Sequence, residues 1–152
     1  MSSAPVDVIT REIIAADAEP AARLSGELGY PVSSEEMKRR IESLARVPDH
    51  AVYVACISGE VIGWIHVQVA HHLQAESRAE IGGLVVSSEA RSRGIGRRLV
   101  AVAEEWALQQ GLKSIVVRSR ATREAAHRFY LREGYTQTKT SAVFTKSLAG
   151  HR

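Results

Sequence analysis

The spacing of apolar positions along the chain changes several times, and each change marks a predicted element. Val6 to Arg11 reads as a short strand. Asp17 then stands as the N-cap of a helix running to about Leu28, with Ala21, Leu24 and Leu28 on one face and Gly29 as its stop. Ser33 followed by Glu36 is a capping-box pattern, and Met37, Ile41 and Leu44 recur at helical spacing until Pro48. Ala51 to Ile57 and Val61 to Val69 are rich in β-branched residues and meet at Ser58-Gly59-Glu60, a hairpin signal, and Arg78 to Val86 continues as a third strand.

From Gly94 the period becomes helical. Ile95, Leu99, Val102, Ala103, Trp106 and Ala107 line one face of a helix ending near Gly111. Lys113 to Ser119 follows as a strand. Thr122 to Glu133 is a helix with Ala126, Phe129 and Tyr130 on one face and Gly134 as C-cap. Tyr135 to Lys139 and Val143 to Lys146 are expected to close the chain as a hairpin. The order β-α-α-β-β-β-α-β-α-β-β predicts an α+β fold: a mixed, largely antiparallel sheet with helices on its faces.

Composition narrows the function classes. The 152 residues suffice for one domain, residues 1–152, and 45% apolar with 24% charged residues is ordinary globular usage. No run approaches the ~18 apolar residues of a membrane helix, and the N-terminus lacks the basic start and apolar core of a secretory signal. A single cysteine, Cys56, excludes an internal disulfide and points to a reducing, cytoplasmic compartment. The net charge of +3 is small, and the arginines concentrate between Arg91 and Arg98 and between Arg118 and Arg132. That favours a local anionic ligand, and with only 5% aromatic residues there is no stacking surface for nucleic acid. His71 and His72 have no third ligand at metal-like spacing, so no metal is expected.

The densest chemistry lies in RSRGIGRR, residues 91 to 98. A strand that enters a glycine-rich turn and then a helix presents unpaired backbone N–H groups to an anion, and Gly94 and Gly96 admit close approach. The third glycine of a dinucleotide fingerprint is missing, and no Gly-x-x-x-x-Gly-Lys-Ser/Thr loop occurs. The longer segment AEIGGLVVSSEARSRGIGRRL, Ala79 to Leu99, resembles the acetyl-CoA-binding core of the GNAT superfamily of N-acetyltransferases. Arg91-x-x-Gly94-x-Gly96 is similar to its Gln/Arg-x-x-Gly-x-Gly/Ala signature, and Ala126-His-Arg-Phe129-Tyr130-x-x-x-Gly134-Tyr135 to its second common segment.

The resemblance implies the GNAT acyl-CoA N-acyltransferase fold, with about four helices around the sheet, and acetyl-CoA as co-substrate. Backbone amides of Arg91, Ser92, Arg93, Gly94, Ile95, Gly96, Arg97 and Arg98 would hold the pyrophosphate. The pantetheine arm would lie along Leu84, Val85 and Val86, on a strand that is bulged in the family; Gly82-Gly83 permits a bulge without placing it. Many family members carry an asparagine where this chain has Arg123, whose guanidinium offers a phosphate contact instead.

Acetyl transfer to an amine requires a neutral nucleophile, and an alkylamine of pKa ~10.4 is ~3.4 units from neutrality at pH 7, roughly 4.6 kcal/mol. Glu80 lies at the family's distance before the glycine motif for a catalytic base; the same position also fits a solvent-facing strand residue. His66 is an alternative base, as is water. Tyr130 resembles the family's general acid toward the coenzyme A sulfur, with a core aromatic as the other reading, and the main-chain N–H of Val86 would stabilise the oxyanion. Cys56, in an apolar strand, reads as a buried small residue, which disfavours an acetyl-enzyme. The implied function is acetyl transfer to a primary amine of a small molecule by direct attack in a ternary complex. Alternatives are a protein or peptide amine as acceptor, or a non-catalytic acyl-CoA sensor. Glu27, Glu35 and Glu36 are the acidic residues available to a cationic acceptor, and homodimers are common in the superfamily.

Overall fold

The computed structural model describes residues 7–91, 93–119 and 123–150; Val6, Ser92 and Thr122, named above, lie outside them. The elements are β1 (Val8–Glu12), α1 (Ala18–Leu28), α2 (Ser34–Leu44), β2 (His50–Ile57), β3 (Glu60–Ala70), β4 (Arg78–Val86), α3 (Ile95–Gln109), β5 (Ile115–Val117) and α4 (Glu124–Arg132). Short 3-10 turns at Ala15–Asp17 and Ser88–Ala90 precede α1 and α3. The chain divides into two compact units, Met1–Arg118 and Ser119–Arg152.

In the first unit the strands form one sheet in the order β1-β2-β3-β4-β5, antiparallel except for the parallel pair β4 and β5. The β2–β3 hairpin turns at Ser58 and Gly59, both at positive φ (50° and 80°), the mirror-image turn that matches strand twist. Neighbouring residues of β3 point to opposite faces, and this identifies the two layers. A Cβ at Gly63 would lie 3.2 Å from Leu99 of α3, whereas Trp64 Nε1 donates to the Ala21 carbonyl of α1 at 3.2 Å. Helix α3 therefore covers one face and α1 the other. Leu24, Val54, Cys56, Val61 and Val85 form the core beneath α1. Cys56 is buried there, as its apolar strand predicts.

Asp17 immediately precedes α1 but does not cap it through its side chain. Its carboxylate instead accepts two hydrogen bonds from the Arg11 guanidinium (2.8 and 2.9 Å) and one from the Ile14 N–H (2.9 Å). It is 5% exposed, so the bidentate pair ties β1 to the start of α1 inside the fold. The Arg11 hydrogen bonds hold the Asp17 carboxyl below the usual carboxylate range. Such a group stabilises the fold above its unfolded pKa and loses that contribution as pH falls through the folded value. Asp17→Ala is expected to cost roughly 2 kcal/mol, less than the ~3–5 typical of a fully buried pair because Arg11 remains partly hydrated. A thermal midpoint lowered by roughly 4–8 °C at pH 7, with a smaller difference near pH 3, checks it.

Three predicted elements differ. The strand expected over Lys113 to Ser119 is only Ile115–Val117, because its ladder with β4 spans Ala79–Ile81 alone. The helix expected from Thr122 is Glu124–Arg132, with Gly134 in the left-handed region (φ 91°) as its stop. The hairpin expected over Tyr135 to Lys146 is absent: no strand forms there. Val143 and Phe144 are adjacent, so they cannot share one strand face, and both are exposed (84% and 92%). Among the described residues no helix is long and apolar enough to cross a membrane, and no cluster of ligands suits a metal.

Candidate active site

The site begins with an irregularity in β4. Gly83 pairs with His66 and Ile81 with Val67, so Gly82 is an extra, unpaired residue: a bulge at the glycine pair. A Cβ on Gly83 would meet the Trp64 ring at 2.9 Å, and one on Gly82 would meet His66 Nδ1 at 3.1 Å, so both positions are crowded on the α1 side. Beyond the bulge β4 leaves β5, whose ladder ends at the Ile81–Val117 pair. The two parallel neighbours part at this point, and the edge of β4 from Gly83 to Val86 has no partner within this unit.

The ladder fixes which groups face that edge. The Ser87 N–H donates to the Ile62 carbonyl at 2.8 Å. By the alternation of an antiparallel pair, Val85 and Gly83 turn their main-chain groups to β3, and Leu84 and Val86 turn theirs to the open edge. This corrects the expectation for Val85: its side chain is 4% exposed in the core and its main chain faces β3. Leu84 and Val86 retain the geometry for a ligand lying as an added strand, and the Val86 N–H is among the groups turned to that edge.

From Val86 the chain passes through the 3-10 turn to Gly94, the N-cap of α3, at φ 76°. A side chain is strained there, and among the described residues nothing lies within 4 Å of a Cβ position. The first amides of α3 have no partner within the helix, which makes its start suited to an anion. The residues of the glycine-arginine stretch divide accordingly. Ile95 is 1% exposed, so only its main chain can face a ligand. Arg98 is turned away: its N–H closes the first turn on the Gly94 carbonyl (3.1 Å) and its guanidinium donates to the Val8 carbonyl of β1 (3.0 Å). Arg91, Arg93 and Arg97 are exposed and Gly96 is half-buried; Ser92 lies outside the described residues. The open edge, the left-handed glycine and the exposed arginines together fit a long anionic ligand of the coenzyme A kind.

Glu80 lies on the α1 side of β4, opposite Gln68 of β3 and Val116 of β5. Its carboxylate accepts from Arg118 Nε at 3.4 Å, with Glu80 largely covered and Arg118 about half exposed. His66 lies on the same face, and its Nε2 is 2.9 Å from His50 Nδ1. Burial, and secondarily His50, lowers the pKa of His66, so the ring is neutral near pH 7. The partnership with His50 was not read from the sequence; the hairpin register, which sets His50 opposite Gln68 and Val52 opposite His66, is the signal that could have found it. Two of the carboxylates considered for a cationic acceptor are engaged: Glu27 accepts the Ser88 N–H (3.1 Å), and Glu36 pairs with Arg39 and Arg40. His71 is a loop residue held by Ser77 Oγ (2.7 Å) and Asp49 (3.4 Å).

In the second unit Tyr130 sits on α4, in edge-to-face contact with Phe129 and Tyr135 (centroids 5.1 and 5.6 Å). Burial pushes its phenol up to about 12, so it stays protonated through the neutral and mildly alkaline range. Arg123 directly precedes α4, and its carbonyl accepts the His127 N–H (3.1 Å).

Residues 15–135 match the sequence model of the acetyltransferase (GNAT) family. The chain belongs to that family. An aminoalkylphosphonate N-acetyltransferase of Salmonella typhimurium is 43% identical over 96 residues, which are 62% of this GNAT chain and 61% of that relative. An aminoglycoside N(6')-acetyltransferase type 1 of Stenotrophomonas maltophilia is 27% identical over 97% of both chains. An aminoglycoside N-acetyltransferase crystallised with CoA superposes with a TM-score of 0.84 over 96% of this chain and 99% of its own, at 15% identity, and so shows the shared fold.

Proposed function

We propose that this GNAT chain, acting as a single catalytic domain, transfers the acetyl group of acetyl-CoA to the primary amine of a small molecule by direct attack in a ternary complex. The observation that carries the reading is the continuous path in the first unit from the β4 bulge, along the open edge of Leu84 and Val86, to the left-handed Gly94 at the start of α3. In this reading Leu84 and Val86 bind the pantetheine amides, and the amides and exposed side chains from Arg91 to Arg97 bind the pyrophosphate. The Val86 N–H donates to the oxyanion as the thioester carbonyl is attacked. Tyr130 donates a hydrogen bond to the departing sulfur, and Arg123 contacts coenzyme phosphate. Glu80, fixed by Arg118, orients the acceptor ammonium.

Aminoalkylphosphonates and aminoglycosides, the acceptors named by the two relatives, are both small-molecule amines and support that acceptor class. The test is release of free CoA from acetyl-CoA with a panel containing aminomethylphosphonate, an aminoglycoside, a polyamine and a lysine peptide. Amine-dependent release with a small molecule is expected. Release with the peptide alone would move the acceptor to proteins, and tight acetyl-CoA binding with no release would make the chain a sensor.

A further inference from the structure

His66, an alternative base on its sequence position, is hydrogen-bonded in the structure to His50 of β2, which has no part in the chemistry described so far. Their placement is specific. His50 lies opposite Gln68, which lies opposite Glu80, and His66 lies opposite Gly83 at the bulge, so both rings share the α1-side face with Glu80. The rings are stacked, with centroids 5.1 Å apart, and His66 Nε2 is 2.9 Å from His50 Nδ1. The other nitrogen of His66, Nδ1, faces Gly82, where a Cβ would approach to 3.1 Å, so glycine at the bulge keeps a side chain away from that nitrogen. His50 at the start of β2 and His66 within β3 are both partly exposed. Arg78 and Glu80 of β4 and Arg11 of β1 share this face; Arg11 is paired with Asp17, and Arg118, just past β5, holds Glu80 at 3.4 Å.

Resting on the acyl-transfer reading, we propose that His66 and His50 form a two-imidazole relay that carries the acceptor's ammonium proton from the β4 bulge to solvent. The ammonium N–H bond breaks as its proton passes to His66 Nδ1, and the electron pair stays on the amine nitrogen as the nucleophile. The proton on His66 Nε2 passes to His50 Nδ1, and that on His50 Nε2 passes to water. One proton leaves the amine and one reaches solvent, with both rings neutral before and after. Because burial and His50 keep His66 neutral at pH 7, its Nδ1 lone pair is available to accept. An ordinary imidazole is closer in basicity to an alkylamine than an ordinary carboxylate is, by about 2 pKa units, a margin that the burial of His66 narrows. His66 is then a catalytic residue, and His50 a positioning residue that also passes the proton on.

The test is the pH dependence of CoA release with aminomethylphosphonate, or with another amine of the panel that the unmodified chain acetylates, from about pH 6 to about pH 9. His66→Gln is expected to lower kcat about tenfold or more at pH 7 with the acetyl-CoA dissociation constant within about twofold, and the deficit should shrink as pH rises and solvent supplies free amine. His50→Gln should show a smaller deficit of the same pH dependence, and added imidazole should restore part of the rate of His66→Ala. Gly82→Ala, which keeps both imidazoles but places a Cβ 3.1 Å from Nδ1 so that the His66 ring must give way, complements the histidine variants and should reproduce the pH-dependent loss. A deficit constant across pH, or variants as fast as the parent, would overturn the relay while leaving acyl transfer intact. An unmodified chain that releases no CoA with any amine would overturn acyl transfer, and the relay with it.

Discussion

Replacing Gly96 with tryptophan is expected to weaken acetyl-CoA binding by about a hundredfold or more, ~2.8 kcal/mol, without unfolding the protein. Gly96 is the second residue of α3, between the left-handed Gly94 and the first buried turn of the helix. Cβ atoms in a helix tilt toward its N-terminus, so a bulky side chain here is projected over the amides proposed to receive the pyrophosphate. The helix itself is anchored by Ile95 and Leu99, 1% and 0% exposed, and neither is touched by the substitution. Glycine is also the poorest non-proline helix former, so the change to tryptophan favours the helix by roughly 0.5 kcal/mol. Calorimetric titration with acetyl-CoA, alongside a thermal melt, separates the two effects. Unchanged affinity in a folded variant would remove the start of α3 from the ligand site.

Tyr130→Phe addresses the chemistry. Loss of the hydroxyl is expected to lower kcat about tenfold or more, at least ~1.4 kcal/mol of transition-state stabilisation, while acetyl-CoA binding stays within about twofold. The phenol, pushed up to about 12 by burial, is a poor proton donor to a thiolate whose ordinary pKa is ~8.5; full transfer is uphill by roughly 4.8 kcal/mol. The contribution proposed for it is therefore hydrogen-bond donation to the developing thiolate. Burial disfavours the phenolate, so the donor persists on the alkaline side, and the parent should show no loss of rate near pH 10 that the phenylalanine variant lacks. Equal turnover in the two proteins would return Tyr130 to the aromatic cluster of Phe129 and Tyr135.

The elements legible in the sequence are those whose periodicity is local and whose ends carry their own signals. β4 spans Arg78–Val86 as its apolar run predicts, and α1 stops at Gly29, whose φ is 101°. Ser33 accepts the Glu36 N–H at 3.1 Å, as the capping pattern requires. The glycine pair permitted a bulge, but its position depends on the register with β3, and one inserted residue leaves no trace in local composition. Register likewise conceals the His50–His66 contact, which joins two strands, and the approach of Arg118, just past β5, to Glu80 of β4. Arg98 belongs to the arginine-rich run, yet its side chain serves β1, because helical periodicity directs adjacent positions to different faces. Asp17 was read as a local cap, and a long-range partner, Arg11, captured its carboxylate instead.

Direct attack of a bound amine on bound acetyl-CoA is best tested by initial rates of CoA release measured while both substrates are varied. A ternary complex predicts rates that depend on both, with intersecting double-reciprocal lines. Parallel lines would indicate an acetyl-enzyme and contradict direct attack, and release that ignores the amine would contradict acetyl transfer itself.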